Sequence, residues 1–265
     1  MSSMRVATLN IWNRGGPWEE RLAAIRHGLR ELAADIVGLQ EVIVTPDGDR
    51  LDQAAAIADG LGYHFAYGAS FVEGYSFGNA VLSRWPIVRH EVTPLPRLES
   101  TERRSLLSSV IAAPFGEVPF FVTHLNWKFD EGHIREAQVL AIADVVKAQA
   151  PGEGFPAILV GDMNAEPEAD EVRFLRGLSS LGRGKSIYFA DCFAAVGEGK
   201  GATFSRKNPY AAILREPDRR IDYVFVRGPD DRGRGEPLEA RVCFDAPHEG
   251  TFPSDHFGVV ATVSV

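Results

Sequence analysis

Cysteine is scarce: Cys192 and Cys243 are the only two in 265 residues, 51 positions apart and without a C-x-x-C pair. That spacing excludes a zinc knuckle and a disulfide framework, and two small buried hydrophobes are expected instead. Long hydrophobic runs are missing as well. No uninterrupted apolar stretch approaches the roughly 18 residues of a membrane span. The opening MSSMRVATLNIW has no basic segment followed by the hydrophobic core of a leader. A cytoplasmic protein without a transmembrane segment is the expectation. Positive charge is not in excess: 28 Lys and Arg stand against 36 Asp and Glu, a net charge of -8. This argues against a passive polyanion binder, which needs clustered Lys and Arg to neutralise phosphates. It does not exclude an enzyme whose cleft and bound cation set the local field. Repeats, low-complexity tracts and interdomain linkers are also lacking, so one domain over residues 1–265 is expected.

What remains is a globular composition, 45% hydrophobic and 24% charged. Runs rich in β-branched and aliphatic residues, bounded by Gly, Pro, Asn or Asp, predict strands. They are Arg5 to Trp12, Asp35 to Glu41, Gly78 to Ser83, Ser105 to Ala112, Val118 to His124, Ala157 to Asp162, Ile221 to Val226, Ala240 to Phe244 and Phe257 to Val263. Trp18, Leu22, Ile25, Leu29 and Leu32 form one apolar stripe, with Pro17 in the first turn of the helix they predict. Further helices are predicted over Ile134 to Ala148, Ala169 to Leu178 and Gln53 to Leu61. Gly182 to Asn208 and Arg227 to Pro237 read as irregular. The interleaving predicts a mixed α/β layered fold. Segment 200–241 carries ten Lys or Arg against seven Asp or Glu, which reads as a solvated face or as a phosphate-attracting rim.

Polar residues stand where apolar runs stop. Asn10 ends VATLN, Glu41 ends DIVGLQE, His124 ends PFFVTH, and Asp162 ends AILVGD with Asn164 just beyond. Asp222 instead opens DYVFV, and Asp255 with His256 opens FGVVATV. If those two strands run antiparallel to the others, all these side chains share one sheet edge, where layered α/β folds form ligand sites. Singly, each reads as a turn former, helix cap or solvated histidine. Together they form an oxygen-rich set suited to Mg²⁺ or Mn²⁺, with Glu41 and Asn10 as metal ligands, and less suited to zinc. Asp255–His256 with Asp222 reads as an imidazole oriented by a carboxylate.

The runs LNIW, LQEV, THLNW, VGDMN, RIDYVFV and SDH, in this order, resemble the endonuclease/exonuclease/phosphatase superfamily over essentially the whole chain. The resemblance implies a four-layer α/β/β/α sandwich, two packed mixed β-sheets flanked by helices, and metal-dependent hydrolysis of phosphate esters. It implies Glu41, Asn10 and Asp255 at the metal, and Asp162 as the residue that orients or deprotonates water. It also implies Asn164 and His124 as phosphate donors, and His256 with Asp222 as a catalytic dyad. The AEPEADEV that follows GDMN, and THLNW, depart from abasic-site endonucleases. RRIDYVFV departs from the inositol polyphosphate 5-phosphatases. Arg220, Trp127 and Asn126 are the substrate-binding candidates. Trp12, Tyr75, Phe77, Phe129 and Phe204 are further aromatic candidates for the cleft mouth or for the core, and Arg103, Arg104 and Arg219 are the nearby cations. The leading expectation is a phosphodiesterase or nuclease acting on nucleic acid, a nucleotide or a small phosphodiester, with no obligate protein partner. The alternative is a phosphomonoesterase or a sphingomyelinase-like lipid head-group hydrolase. The reading from another class is a non-catalytic phosphate-ligand binding module.

Overall fold

The structure is a computed structural model that describes residues 2–45, 51–152, 154–182 and 185–265. In chain order its elements begin with β1 (Ser3–Asn10), α1 (Trp18–Leu32), β2 (Ile36–Val44), α2 (Gln53–Ala58), β3 (His64–Glu73) and β4 (Tyr75–Ser83). β5 (Ile87–Pro94), β6 (Ser105–Ala113), β7 (Gly116–His124), α3 (Gly132–Gln149), β8 (Ile158–Asp162) and α4 (Asp170–Leu175) follow. β9 (Ala190–Asp191), α5 (Cys192–Val196), α6 (Pro209–Ala212), β10 (Asp222–Val226), β11 (Pro237–Cys243) and β12 (Gly258–Ser264) complete the chain. Two mixed sheets result, in the orders β11-β12-β1-β2-β4-β3 and β5-β6-β7-β8-β10-β9.

Three apolar layers explain why the central strands read as continuous hydrophobic runs. Val6 of β1, Phe120 and Val122 of β7, Val160 of β8 and Val224 of β10 meet between the two sheets. Their chain neighbours point the other way, because successive strand residues alternate faces. Ala7 and Leu9 pack with Ile25 and Leu29 of α1, while Phe121, Leu159 and Phe225 pack with Val139, Ile142 and Phe174 of α3 and α4. A strand buried on both faces loses the apolar–polar alternation of a half-exposed one. The helix-on-sheet, sheet-on-sheet order is the expected four-layer sandwich. Gly38 lets the sheets meet closely, since a Cβ there would lie 2.3 Å from Val160 Cγ2.

All nine predicted strands are present, with ends shifted by a few residues, and so are the four predicted helices, α2 and α4 being shorter than predicted. Pro17 caps α1 from the position before the helix rather than from its first turn. Strands β3 and β5 were not anticipated. β5 is an edge strand with a largely exposed, charged sequence, IVRHEVTP, which has neither a buried face nor an alternating pattern. Gly182 to Asn208 holds the short β9 and α5, with residues 183 and 184 outside the described set. Both cysteines are free and buried. Among the described residues no helix is long and apolar enough to cross a membrane.

Candidate active site

Strand direction brings the polar strand ends together. β7 and β8 run parallel with His124 opposite Asp162, and β10 runs antiparallel to β8 with Asp222 opposite Asp162. His124, Asp162 and Asp222 therefore form one row across three adjacent strands. In the other sheet β1 and β2 are parallel, with Asn10 opposite Gln40. β12 is antiparallel to β1, so Asp255 and His256, just before it, arrive at the same edge. Glu41 follows Gln40 at an irregularity in the β2–β4 pairing and has a φ of 59°. Trp12, Asn13 and Asn164 share this left-handed backbone. Strained non-glycine residues of this kind cluster at working sites, at about 1–3 kcal/mol each.

The two rows are joined by Asn10, whose Nδ2 donates to Glu41 Oε1 at 3.2 Å and to Asp162 Oδ2 at 3.0 Å. Its side-chain Oδ1 accepts from the Trp12 amide at 2.9 Å. In this structure Asn10 thus faces the carboxylates with its nitrogen, as a bridge between them. Asn13, which the sequence reading passed over, donates to Glu41 Oε2 at 2.7 Å. The Asn164 amide donates to Asp162 Oδ1 at 2.8 Å, while the Asn164 side chain donates to the Leu125 carbonyl at 3.1 Å. Ser254 Oγ donates to the Asn10 carbonyl at 2.6 Å and lies 3.2 Å from Asp255 Oδ1. Beneath them lies the fully buried Arg21. Its guanidinium donates to the carbonyls of Ile11, Gly15 and Asn13 on one loop and of Pro253 on another. Burial lowers its pKa to about 10, still far above neutrality, so it stays cationic and clamps both loops.

The two histidines carry opposite charge logic. His256 Nδ1 is 3.0 Å from Asp222 Oδ2. Burial disfavours the cation, but Asp222 and then Asp162 outweigh it and lift His256 well above its ordinary value. Thr203 Oγ1 accepts from the Ile221 and Asp222 amides, which holds this pair in place. His124 Nδ1 instead faces Arg104 Nη1 at 3.0 Å. A guanidinium only donates, so Nδ1 must be bare and the proton of a neutral His124 must sit on Nε2. That nitrogen lies 3.5 Å from Asp162 Oδ2. Burial and then Arg104 push His124 well below 6.5, which agrees with this tautomer. Arg104 also pairs with Glu102 at 3.4 Å; its contact with His124 is the second that the sequence did not signal.

Carboxylates gather here without matching cations. Burial and then Asp222 raise Asp162 to about 7. Burial raises Asp255 to about 6, with Glu41 adding to the rise. Asp222 Oδ1 is buried without a hydrogen-bond partner. Among the described residues, Asp162, Asp222 and His256 place ligand atoms within 4.8 Å of one another. His256 Nδ1 is already committed to Asp222, so this trio suits proton handling better than metal ligation. Glu41 and Asp255 offer oxygen alone, the donor type of a hard divalent cation. An uncompensated oxygen set of this kind fits such an ion.

These groups floor a cleft of about 460 Å³ lined also by Trp12, Phe71, Tyr75, Phe77, Trp127, Phe129 and Phe204. A larger cavity of about 1450 Å³, lined by Glu168, Lys200, Lys207, Glu239 and Arg241 among others, holds none of the clustered groups. Much of the basic 200–241 segment borders that cavity rather than the cleft. Two predicted substrate residues lie elsewhere. Arg220 is buried and forms a two-pronged pair with Asp191, at 3.0 and 2.9 Å. Its neighbour Arg219 lines the cleft instead. Asn126 is fully buried, donating to Ser100 Oγ at 2.9 Å and accepting from the Lys128 amide. It braces the loop that exposes Trp127.

Comparison with known proteins identifies the family and agrees with the fold. The profile of the Endonuclease/Exonuclease/phosphatase family matches residues 7–256. The chain is 32% identical over 177 residues to the "Uncharacterized protein YbhP" of Escherichia coli K12, covering 61% of this chain and 67% of that one. An endonuclease/exonuclease/phosphatase from Beutenbergia cavernae superposes with a TM-score of 0.75 at 27% identity, covering 100% of this chain and 72% of that one. D. rerio TDP2 complexed with a single-strand DNA product gives a TM-score of 0.76 at 18% identity, covering 100% of both, a likeness of fold. The chain belongs to the Endonuclease/Exonuclease/phosphatase family.

Proposed function

We propose that this protein is a divalent-metal-dependent phosphodiesterase. Members of its family are usually hydrolases acting on phosphate esters and generally use divalent metal ions. The observation that carries the reading is the row His124–Asp162–Asp222, closed by His256 and bridged by Asn10 to Glu41. Glu41 and Asp255 would hold Mg²⁺ or Mn²⁺, which supplies charge neutralisation at the phosphate oxygens.

Each side chain has a defined task in this reading. Asp162, in an environment that raises it to about 7, orients the attacking water and accepts its proton, near the value at which a general base works best. Asn10 and the Asn164 amide fix both of its oxygens. His124 presents its Nε2 proton to a phosphate oxygen. His256, held cationic by Asp222, stabilises charge on the phosphate. Preorganised donors of this type are each worth about 10²–10³ in rate. A phosphodiester is favoured over a monoester because every cation lining the cleft already has a partner. Arg103 pairs with Glu73, Arg219 with Glu216, and Arg104 with Glu102 and His124. No lone arginine is left among the described lining residues to match a dianion.

The test is hydrolysis of bis-p-nitrophenyl phosphate and p-nitrophenyl phosphate with Mg²⁺, with Mn²⁺ and with EDTA. The expected result is turnover of the diester that EDTA abolishes. Absence of turnover of either ester with both metals would favour a binding module and overturn the proposal.

A further inference from the structure

Apart from Trp12, which packs on Tyr210 at 5.0 Å, the aromatic residues at the cleft fall into two groups, one from each sheet. The first stands on the β3–β4 hairpin, where Phe71 contacts Tyr75 edge-on at 5.7 Å and stacks on Phe77 at 5.4 Å. Phe77 is opposite Ile43 in the ladder, which places this cluster on the Glu41 side of the floor. The second comprises Trp127 and Phe129, on the loop between β7 and α3, together with Phe204. Arg219 lies over Phe129 and Phe204, at 4.6 and 5.6 Å from the ring centres. Phe204 meets the His256 ring edge-on at 5.0 Å, which places this cluster on the His256 side. The phosphate floor is therefore bracketed by two aromatic walls within one cleft.

Much of this surface is open. Trp127 is 51% exposed, Phe129 62% and Tyr75 40%. Core packing does not account for rings held in the open beside a polar floor. Nor does the cleft offer charge to a polymer. Its three arginines are each matched by an acidic or imidazole partner, and Glu41, Glu102, Asp162, Glu216 and Asp255 also line it. The cleft lies in the 300–1,000 Å³ range of small-ligand sites. Affinity here must come from stacking on flat groups on both sides of one phosphate, rather than from a track of phosphates.

Resting on the phosphodiesterase reading, we infer that the substrate is a dinucleotide-length single strand of nucleic acid. One base lies against Phe71, Tyr75 and Phe77, and the next against the open rings of Trp127 and Phe129, with the buried Phe204 behind them. Base–aromatic stacking tolerates any base and changes affinity by about 5- to 150-fold per base. Binding to a site of this kind weakens only shallowly with salt, because few counterions are released.

The experiment compares kcat/KM on thymidylyl-thymidine, on its two analogues with a single abasic residue, on deoxythymidine decamer and on sphingomyelin in mixed micelles. Bis-p-nitrophenyl phosphate reports the chemistry. Each abasic analogue is expected to lose about 5- to 150-fold, mainly in KM. Tyr75→Ala and Trp127→Ala should each reproduce the loss of one base, and should not add to it when that base is already missing. The decamer should gain nothing over the dinucleotide. Abasic analogues cut as fast as the parent, a decamer with a steep salt slope, or faster cleavage of sphingomyelin would each overturn the inference. In all three cases turnover of bis-p-nitrophenyl phosphate would leave the hydrolytic reading standing. If no ester is cut, that reading fails, and quenching of Trp127 emission by the dinucleotide, but not by its doubly abasic analogue, decides the inference separately.

Discussion

Arg219 and Arg220 are chain neighbours with different surroundings, and substituting each in turn tests the assignment of both. Arg220 is buried, its guanidinium bonded twice to the buried Asp191 carboxylate at 3.0 and 2.9 Å. It also lies over the rings of Tyr223 and Phe193, at 4.7 and 5.4 Å. Arg220→Ala would strand the Asp191 charge in the interior. Removing one partner of a buried pair costs about 3–5 kcal/mol. At about 2–4 °C per kcal/mol for a chain of this size, Tm should fall by roughly 6–20 °C. Replacing both partners, as Arg220→Met with Asp191→Leu, should recover most of that loss, because an apolar pair leaves no uncompensated charge. Arg219 is buried as well, but its partner Glu216 is partly exposed and keeps water when the pair is broken, so Arg219→Ala should lower Tm less than Arg220→Ala while KM rises. Differential scanning fluorimetry and steady-state kinetics on the same preparations read both effects. An Arg220→Ala protein with unchanged Tm and a raised KM would refute the reasoning and return Arg220 to the substrate.

Two further outcomes follow from the charge arrangement. Nitrogen NMR of ring-labelled protein should show His124 neutral with its proton on Nε2, and Arg104→Met should let it protonate in mildly acidic buffer; an imidazolium in the parent would contradict the tautomer. In metal-free protein the contribution of Asp162 and Asp255 to stability should fall as pH rises from about 4 to about 7. Asp162 and Asp255 have folded values raised to about 7 and about 6, so the folded state keeps protons that the unfolded chain releases. Their contribution is full below the unfolded value and is lost as pH passes through the folded one. His256 is raised too and acts with the same sign. His124 is lowered and acts with the opposite sign, so urea midpoints in EDTA at about pH 5 and about pH 8 are compared between the parent and Asp162→Asn; the parent should lose more stability, or gain less, over that interval than the variant, and Mg²⁺ should offset the difference, whereas equal changes in both proteins would be inconsistent.

Much of the site was legible because its residues occupy the ends of strands buried on both faces. Asn10, Glu41, His124 and Asp162 stand where apolar runs stop, and Asp222 and His256 where they begin. The ladders convert those positions into adjacency. What was not legible depends on side-chain direction. Consecutive residues of an extended chain face opposite ways, so nothing in RRID distinguishes the arginine at the cleft from the one paired with Asp191. Asn126 and Trp127 show the same ambiguity, one buried and one exposed. Arg21 was missed because it sits within an apolar helix stripe and acts through backbone carbonyls, which carry no sequence signature. The edge strands β3 and β5 escaped because they lack a second buried face.

The most direct test of the central claim is single-turnover hydrolysis of bis-p-nitrophenyl phosphate by Asp162→Asn and His256→Ala under saturating Mg²⁺. The account predicts that each variant stays folded, with a loss of about 10²–10⁴ in rate for Asp162→Asn and of about 10²–10³ for His256→Ala. Near-parental rates in folded variants would contradict it.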